Sequence, residues 1–149
     1  GFLPGGGSTD FLVEEHLDLA MDYDTIGKAG SRMGTGTMII LDDKTCPVGF
    51  VKNLVEFFAL ESCGFCTPCR DGLPWSAQVL DDIEHGRGLA EDLDTLARQV
   101  IYIGAMGNTH CALAPGAMEP LASGLKYFRE DFERHIADGK CHFHNGGDS

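Results

Sequence analysis

The chain has 149 residues, 43% of them hydrophobic, which suits one ordinary domain or a small domain joined to a piece of another. Its formal net charge of -12, from 11 basic and 23 acidic residues, argues against nucleic acid and anionic membrane surfaces as partners. No apolar run approaches the roughly 18–20 residues of a spanning helix, so direct membrane insertion is not expected.

The opening Gly1-Phe2-Leu3-Pro4-Gly5-Gly6-Gly7 has no Met and no charged-then-apolar signal pattern. It reads as an entry in mid-domain, and the chain is expected to be a fragment of a longer one. Residues 1–43 suggest mixed structure. Gly5-Gly6-Gly7-Ser8-Thr9-Asp10 forms a loop, Leu17-Asp18-Leu19 suits a short strand, and a helical turn after Asp22 stops at Gly30. Thr37-Met38-Ile39-Ile40-Leu41, β-branched and apolar and closed by Asp42-Asp43, is the clearest strand. Two strands are too few for an independent sheet. The glycines around Gly34-Thr35-Gly36 fit neither the dinucleotide nor the P-loop spacing, and are read as turn formers.

From Pro47 the period changes to that of helices. Val48, Val51, Leu54, Val55 and Phe58 form one apolar stripe over 47–60, with Pro47 suited to the first turn. A second helix is predicted from Leu73-Pro74 to about His85, with Trp75, Val79, Leu80 and Ile83 inward. A third covers about 90–103, and a fourth about 116–136, with Met118, Leu121, Leu125, Phe128, Phe132 and Ile136 at helical spacing. The expected fold is mainly α: a four-helix bundle over 44–139, preceded by the mixed segment 1–43. The tail 140–149, with almost no apolar content, is expected to be mobile.

Three cysteines, Cys63, Cys66 and Cys69, fall at a strict spacing of three between the first two helices. In a chain without secretory features such a cluster reads as a metal site and not as a disulfide framework. Three thiolates leave a tetrahedral or cubane site one ligand short. In an up-down-up-down bundle the loop between helices three and four reaches the same end, and it carries Cys111. His110 beside it is read as a neighbour of the site, because adjacent residues rarely aim at one point. Structural zinc sites draw their ligands as two pairs. The three-plus-one pattern favours a single [4Fe–4S] cube, with zinc and a redox disulfide as the rivals. Gly64 lets the loop curl so that amides can face sulfur, and Pro68 stiffens it. Arg70 either offsets cluster charge or pairs with Glu61 or Asp71. Cys46 and Cys141 are read as buried or incidental thiols, and the His142 and His144 tract beside Cys141 as scattered donors. No nucleophile triad and no nucleotide loop is present, so the chain alone is not expected to be catalytic.

Glu61-Ser62-Cys63-Gly64-x-Cys66-Thr67-Pro68-Cys69-Arg70-Asp71-Gly72, with Thr109-x-Cys111-Ala112 about forty residues later, closely resembles the NADH-binding flavoprotein (F) subunits of bacterial respiratory complex I, the NADH-quinone oxidoreductase. Pro4-Gly5-Gly6-Gly7-Ser8-Thr9, Met21-Asp22-Tyr23-Asp24 and Ala29-Gly30-Ser31 resemble the end of that family's ubiquitin-like β-grasp (SLBB) domain. The resemblance implies that Cys63, Cys66, Cys69 and Cys111 bind a [4Fe–4S] cluster fed by flavin. FMN and NADH would bind in an upstream domain that this chain lacks. It also implies neighbours in the peripheral arm, especially the thioredoxin-like E subunit and the iron–sulfur-rich G subunit, on the cytoplasmic side of the inner membrane. The diaphorase subunits of NAD-dependent hydrogenases and formate dehydrogenases share the motif and form the alternative. A zinc-stapled docking domain is another.

Overall fold

The computed structural model describes residues 1–143, and helix dominates them. Six α-helices follow one another: α1 (Tyr23–Lys28), α2 (Pro47–Leu60), α3 (Thr67–Glu84), α4 (Ala90–Gly104), α5 (Leu113–Tyr127) and α6 (Arg129–Asp138). The strand content is slight. β1 (Phe2–Leu3) pairs antiparallel with β2 (Ile39–Ile40), Phe2 opposite Ile40 and Leu3 opposite Ile39. Leu17–Leu19 is not a strand; it follows a 3₁₀ turn at Glu14–His16, and the other bridge on Phe2 comes from Leu12. Strand β2 keeps just two residues of the expected 37–41, because its one partner is equally short.

Helix α2 begins where the sequence suggests, with Pro47 in the first turn and the Cys46 Sγ accepting from the Gly49 amide at 3.3 Å. Its buried stripe is Val48, Val51 and Val55, none of them exposed. Helix α3 starts six residues earlier than Leu73. Two prolines compete for the start, and Pro68, not Pro74, occupies the first turn, leaving Pro74 inside the helix. Trp75 consequently faces out, 55% exposed, because the buried face follows Leu73, Ser76, Ala77, Leu80 and Ile83 at three- and four-residue steps. Tight approach to α4 is possible at Gly72, where a Cβ would come within 2.6 Å of Ile103 Cδ1.

The expected fourth helix is two helices. The apolar period runs unbroken through 116–136, but Phe128 leaves helical geometry (φ -116°, ψ 25°) and α6 restarts with Glu130 and Asp131 in its first turn. The Phe128 ring sits edge-on to Phe11, centroids 5.2 Å apart. The break turns α6 so that Phe132 and His135 are fully buried. Helix α2 packs on α3 and α5, and α4 packs on the same two helices. The segment before α2 joins this core through Leu3, Phe11 and Leu41, and the Phe11 amide donates to Ser123 Oγ at 2.9 Å. Cys141 and Phe143 also pack against the core, while Lys140 is exposed; the rest of the tail, His144 included, lies outside the described residues. Among the described residues no helix is long and apolar enough to cross a membrane.

Candidate metal centre

The loop from Glu61 to Cys66 joins α2 to α3, and the loop from Ala105 to Ala112 joins α4 to α5. Because these helix pairs alternate in direction, both loops meet at one end. There Cys63, Cys66, Cys69 and Cys111 line one pocket of about 110 Å³, together with Glu61, Thr109, Leu113 and Ala114. Cys69 is buried, Cys66 half-buried, and Cys63 and Cys111 are exposed at the rim. All four sequence-predicted residues are thus brought together, and no disulfide joins them.

The local geometry follows from the residues between them. Gly64 takes φ +78°, a left-handed conformation that L side chains rarely adopt, and this lets the loop reverse within three residues. Its amide donates to Ser62 Oγ at 3.2 Å, and that hydroxyl lies 3.1 Å from Cys69 Sγ. The amide reaching sulfur directly comes from the other loop: His110 N–H donates to Cys66 Sγ at 3.3 Å. The His110 ring itself is exposed and stands edge-on to Phe65, 5.1 Å between centroids. Arg70 adopts the ion-pair reading, with Nη2 3.1 Å from Asp71 Oδ2, and its Nη1 donates to the Gly64 carbonyl at 3.3 Å. It therefore ties the loop back onto the helix.

Two helix starts border this pocket. Cys66 caps α3 and Cys69 lies in its first turn, while Cys111 directly precedes the α5 cap at Ala112. The unpaired amides of a helix N-terminus carry a partial positive charge equivalent to roughly half an elementary charge. Two such ends next to four thiols suit a soft metal centre that needs thiolates. Ser62 is a sulfur partner that sequence reasoning misses. Its position one residue before a ligand-type cysteine is the available signal.

A second group of donors lies elsewhere. Cys46 Sγ, His135 Nε2 and Cys141 Sγ sit within 4.8 Å of one another. Burial pushes the Cys46 thiol up to about 12, reinforced by Cys141 beside it. Cys46 is buried as the sequence suggests, but it has company. His135 has no signal in the sequence beyond its step of three from Phe132.

A helical chain whose inter-helix loops gather four thiols at two helix N-termini has the layout of a thiolate-ligated metal protein. The chain belongs to the family described as the NADH-ubiquinone oxidoreductase-F iron-sulfur binding region, whose model matches residues 49–135. It is similar to the NADH-quinone oxidoreductase F subunit of Escherichia coli (strain K12), 53% identical over 145 residues that make up 96% of this chain and 32% of the relative. The corresponding protein of Streptomyces coelicolor is 48% identical over 94% of this chain and 31% of the relative. The chain therefore spans about a third of the length of these relatives. Among solved structures it resembles an NAD⁺-reducing [NiFe]-hydrogenase in the H2-reduced state, with a TM-score of 0.78 at 28% identity, over 91% of this chain and 23% of that one.

Proposed function

We propose that this chain is the electron-relay module of a bacterial NADH-quinone oxidoreductase F subunit, with Cys63, Cys66, Cys69 and Cys111 holding one [4Fe–4S] cluster. The observation that carries this reading is the meeting of those four thiols in one pocket, within a chain of the iron-sulfur binding family. Such a cluster supplies one-electron redox chemistry. The chain's own residues bind and tune it. The four thiolates fix its position, Ser62 and the His110 amide offer hydrogen bonds to sulfur, and Leu113 and Ala114 limit water at the pocket wall. The three-plus-one arrangement and the iron-sulfur binding of the family both favour iron–sulfur over zinc.

Residues 1–43 are read as the end of a β-grasp (SLBB) segment, and 44–139 as a four-helix iron–sulfur bundle of α2 to α5 extended by α6. The longer protein would oxidise NADH at FMN in a part outside this chain, and electrons would leave through the relay toward further iron–sulfur proteins, the E and G subunits among them. On this reading the whole is a peripheral oxidoreductase component on the cytoplasmic side of the inner membrane. The likeness to an NAD⁺-reducing hydrogenase keeps a diaphorase-type protein as the second reading, but 28% identity against 53% favours the NADH-quinone oxidoreductase.

Anaerobic reconstitution with iron and sulfide tests the proposal. Four irons and four sulfides per chain, and the paramagnetic signal of a reduced [4Fe–4S] centre after dithionite, are expected. Cys111→Ala prevents stable assembly of the four-iron species. A colourless chain holding one tightly bound zinc would sink the reading, and a four-iron cluster that survives Cys111→Ala unchanged would remove Cys111 from the ligand set.

A further inference from the structure

We infer that Cys46, His135 and Cys141 form a second metal site, separate from the four-thiol pocket, that takes a single zinc-type divalent ion. The two sites sit at opposite ends of α2. Cys46 caps its start and Cys63 follows its end, and 14 helical residues span about 21 Å at 1.5 Å each.

The donors are arranged as ligands. Cys46 Sγ lies 3.3 Å from His135 Nε2, and all three donor atoms fall within 4.8 Å of one another. In a tetrahedral zinc site, Zn–S near 2.3 Å and Zn–N near 2.0–2.1 Å put sulfur and nitrogen about 3.5 Å apart and two sulfurs about 3.8 Å apart. One ion at the centre therefore needs only small adjustments. The histidine is also held in the right tautomer. Its Nδ1 lies 2.6 Å from the Asp131 carbonyl, which can only accept, so Nδ1 carries the proton and Nε2 turns its lone pair toward the sulfur. A ring N–H given to a backbone carbonyl is the usual support of a metal-bound imidazole.

Two further features make the site a built one. His135 is fully buried, and Phe143 stacks on its ring at 15° between planes. Gly139 ends α6 in the left-handed region (φ 62°), which turns the chain back so that Cys141 returns to Cys46. His142 stands beside His135, their ring centres 6.4 Å apart. Its Nε2 faces the Asp138 carboxylate, 2.7 Å from Oδ2. The fourth corner of a tetrahedral site is left to a further ligand, because His142 is not among the donors that lie within 4.8 Å of one another. Soft thiolates with imidazole select zinc among the common divalent ions, whereas magnesium and calcium require oxygen. Binding one dication to two thiols releases two protons to solvent.

The intact protein carrying this chain, purified anaerobically and dialysed against Zn²⁺ and then metal-free buffer, tests this through its metal content and zinc-edge X-ray absorption. The expected result is one zinc per chain in addition to the cluster iron, with a first shell of two sulfurs and nitrogen. Cys141→Ser, close to the end of the described chain, loses the zinc while iron content and helical circular dichroism persist. His135→Gln does the same if it folds, and Cys141→Ser decides the matter if it does not. Zinc absent from protein whose iron is intact, or retained in Cys141→Ser, overturns the second site and leaves the relay reading untouched. Zinc in a four-sulfur shell with no iron overturns both.

Discussion

Ser62→Ala isolates the contribution of one hydroxyl to the proposed cluster. Ser62 Oγ lies 3.1 Å from Cys69 Sγ and accepts from the Gly64 amide at 3.2 Å. With that lone pair engaged by the amide, and with Cys69 ligating as a thiolate, the hydroxyl proton points to sulfur. Hydrogen bonds of this kind stabilise the more negative, reduced state more than the oxidised one, so losing one lowers the reduction potential. A net contribution of about 0.5–1.5 kcal/mol converts, at about 59 mV per tenfold change for one electron, to a fall of about 20–65 mV. The assay is a potentiometric titration of the reconstituted protein followed by electron paramagnetic resonance. Ser62→Thr keeps the hydroxyl and is expected to stay near the parent value. A midpoint that is unchanged or raised in Ser62→Ala, with full iron content, refutes the reasoning.

Two stability predictions follow. Burial, and then the Glu119 carboxylate nearby, raise the Asp10 carboxyl from 3.8 to about 6. The folded state therefore binds the extra proton between those values, and stability falls as pH rises from about 4 to about 6. The shift corresponds to about 3 kcal/mol, discounted to about 1–2 kcal/mol because Asp10 keeps partial solvent access. Asp10→Asn should thus raise Tm at pH 7.5 and leave it unchanged near pH 3.5; an equal effect at both would contradict the linkage. Lys52 Nζ sits 2.8 Å from Glu84 Oε2 and 3.1 Å from Asp81 Oδ1, with little solvent access. Lys52→Met removes the α2 cation from these two α3 carboxylates; Asp81 keeps Arg87 at 2.7 Å but the largely buried Glu84 loses its partner, and denaturant unfolding should show a loss of about 1–3 kcal/mol. Adding Glu84→Gln should restore part of it, and simple additivity would argue against the pairing.

The helices are legible wherever a period and a boundary signal agree. Helix α2 has both, a valine stripe and Pro47 in the first turn, and its bounds match the sequence reading. Helix α3 has two prolines, and local preference does not decide between Pro68 and Pro74 at its start. Packing does, because starting at Thr67 brings Gly72 against Ile103 and Cys69 into the pocket. The strands are overread for the opposite reason. The β propensity of Thr37–Leu41 describes a surface that fits a sheet, and length depends on a partner, which here is two residues long.

The two donor clusters differ in legibility for a physical cause. Cys63, Cys66 and Cys69 announce themselves because a loop and one helical turn can aim three thiols from seven residues of chain, and Cys111 follows from helix direction alone. Cys46, His135 and Cys141 span 46 to 141 and share no spacing. They meet only because Phe128 breaks the last helix, which sends His135 inward, and Gly139 then reverses the chain. A continuous helix over 116–136 has no such turn at Phe128, and nothing in it directs His135 to Cys46. The same break that the apolar period hides is thus what assembles the second cluster.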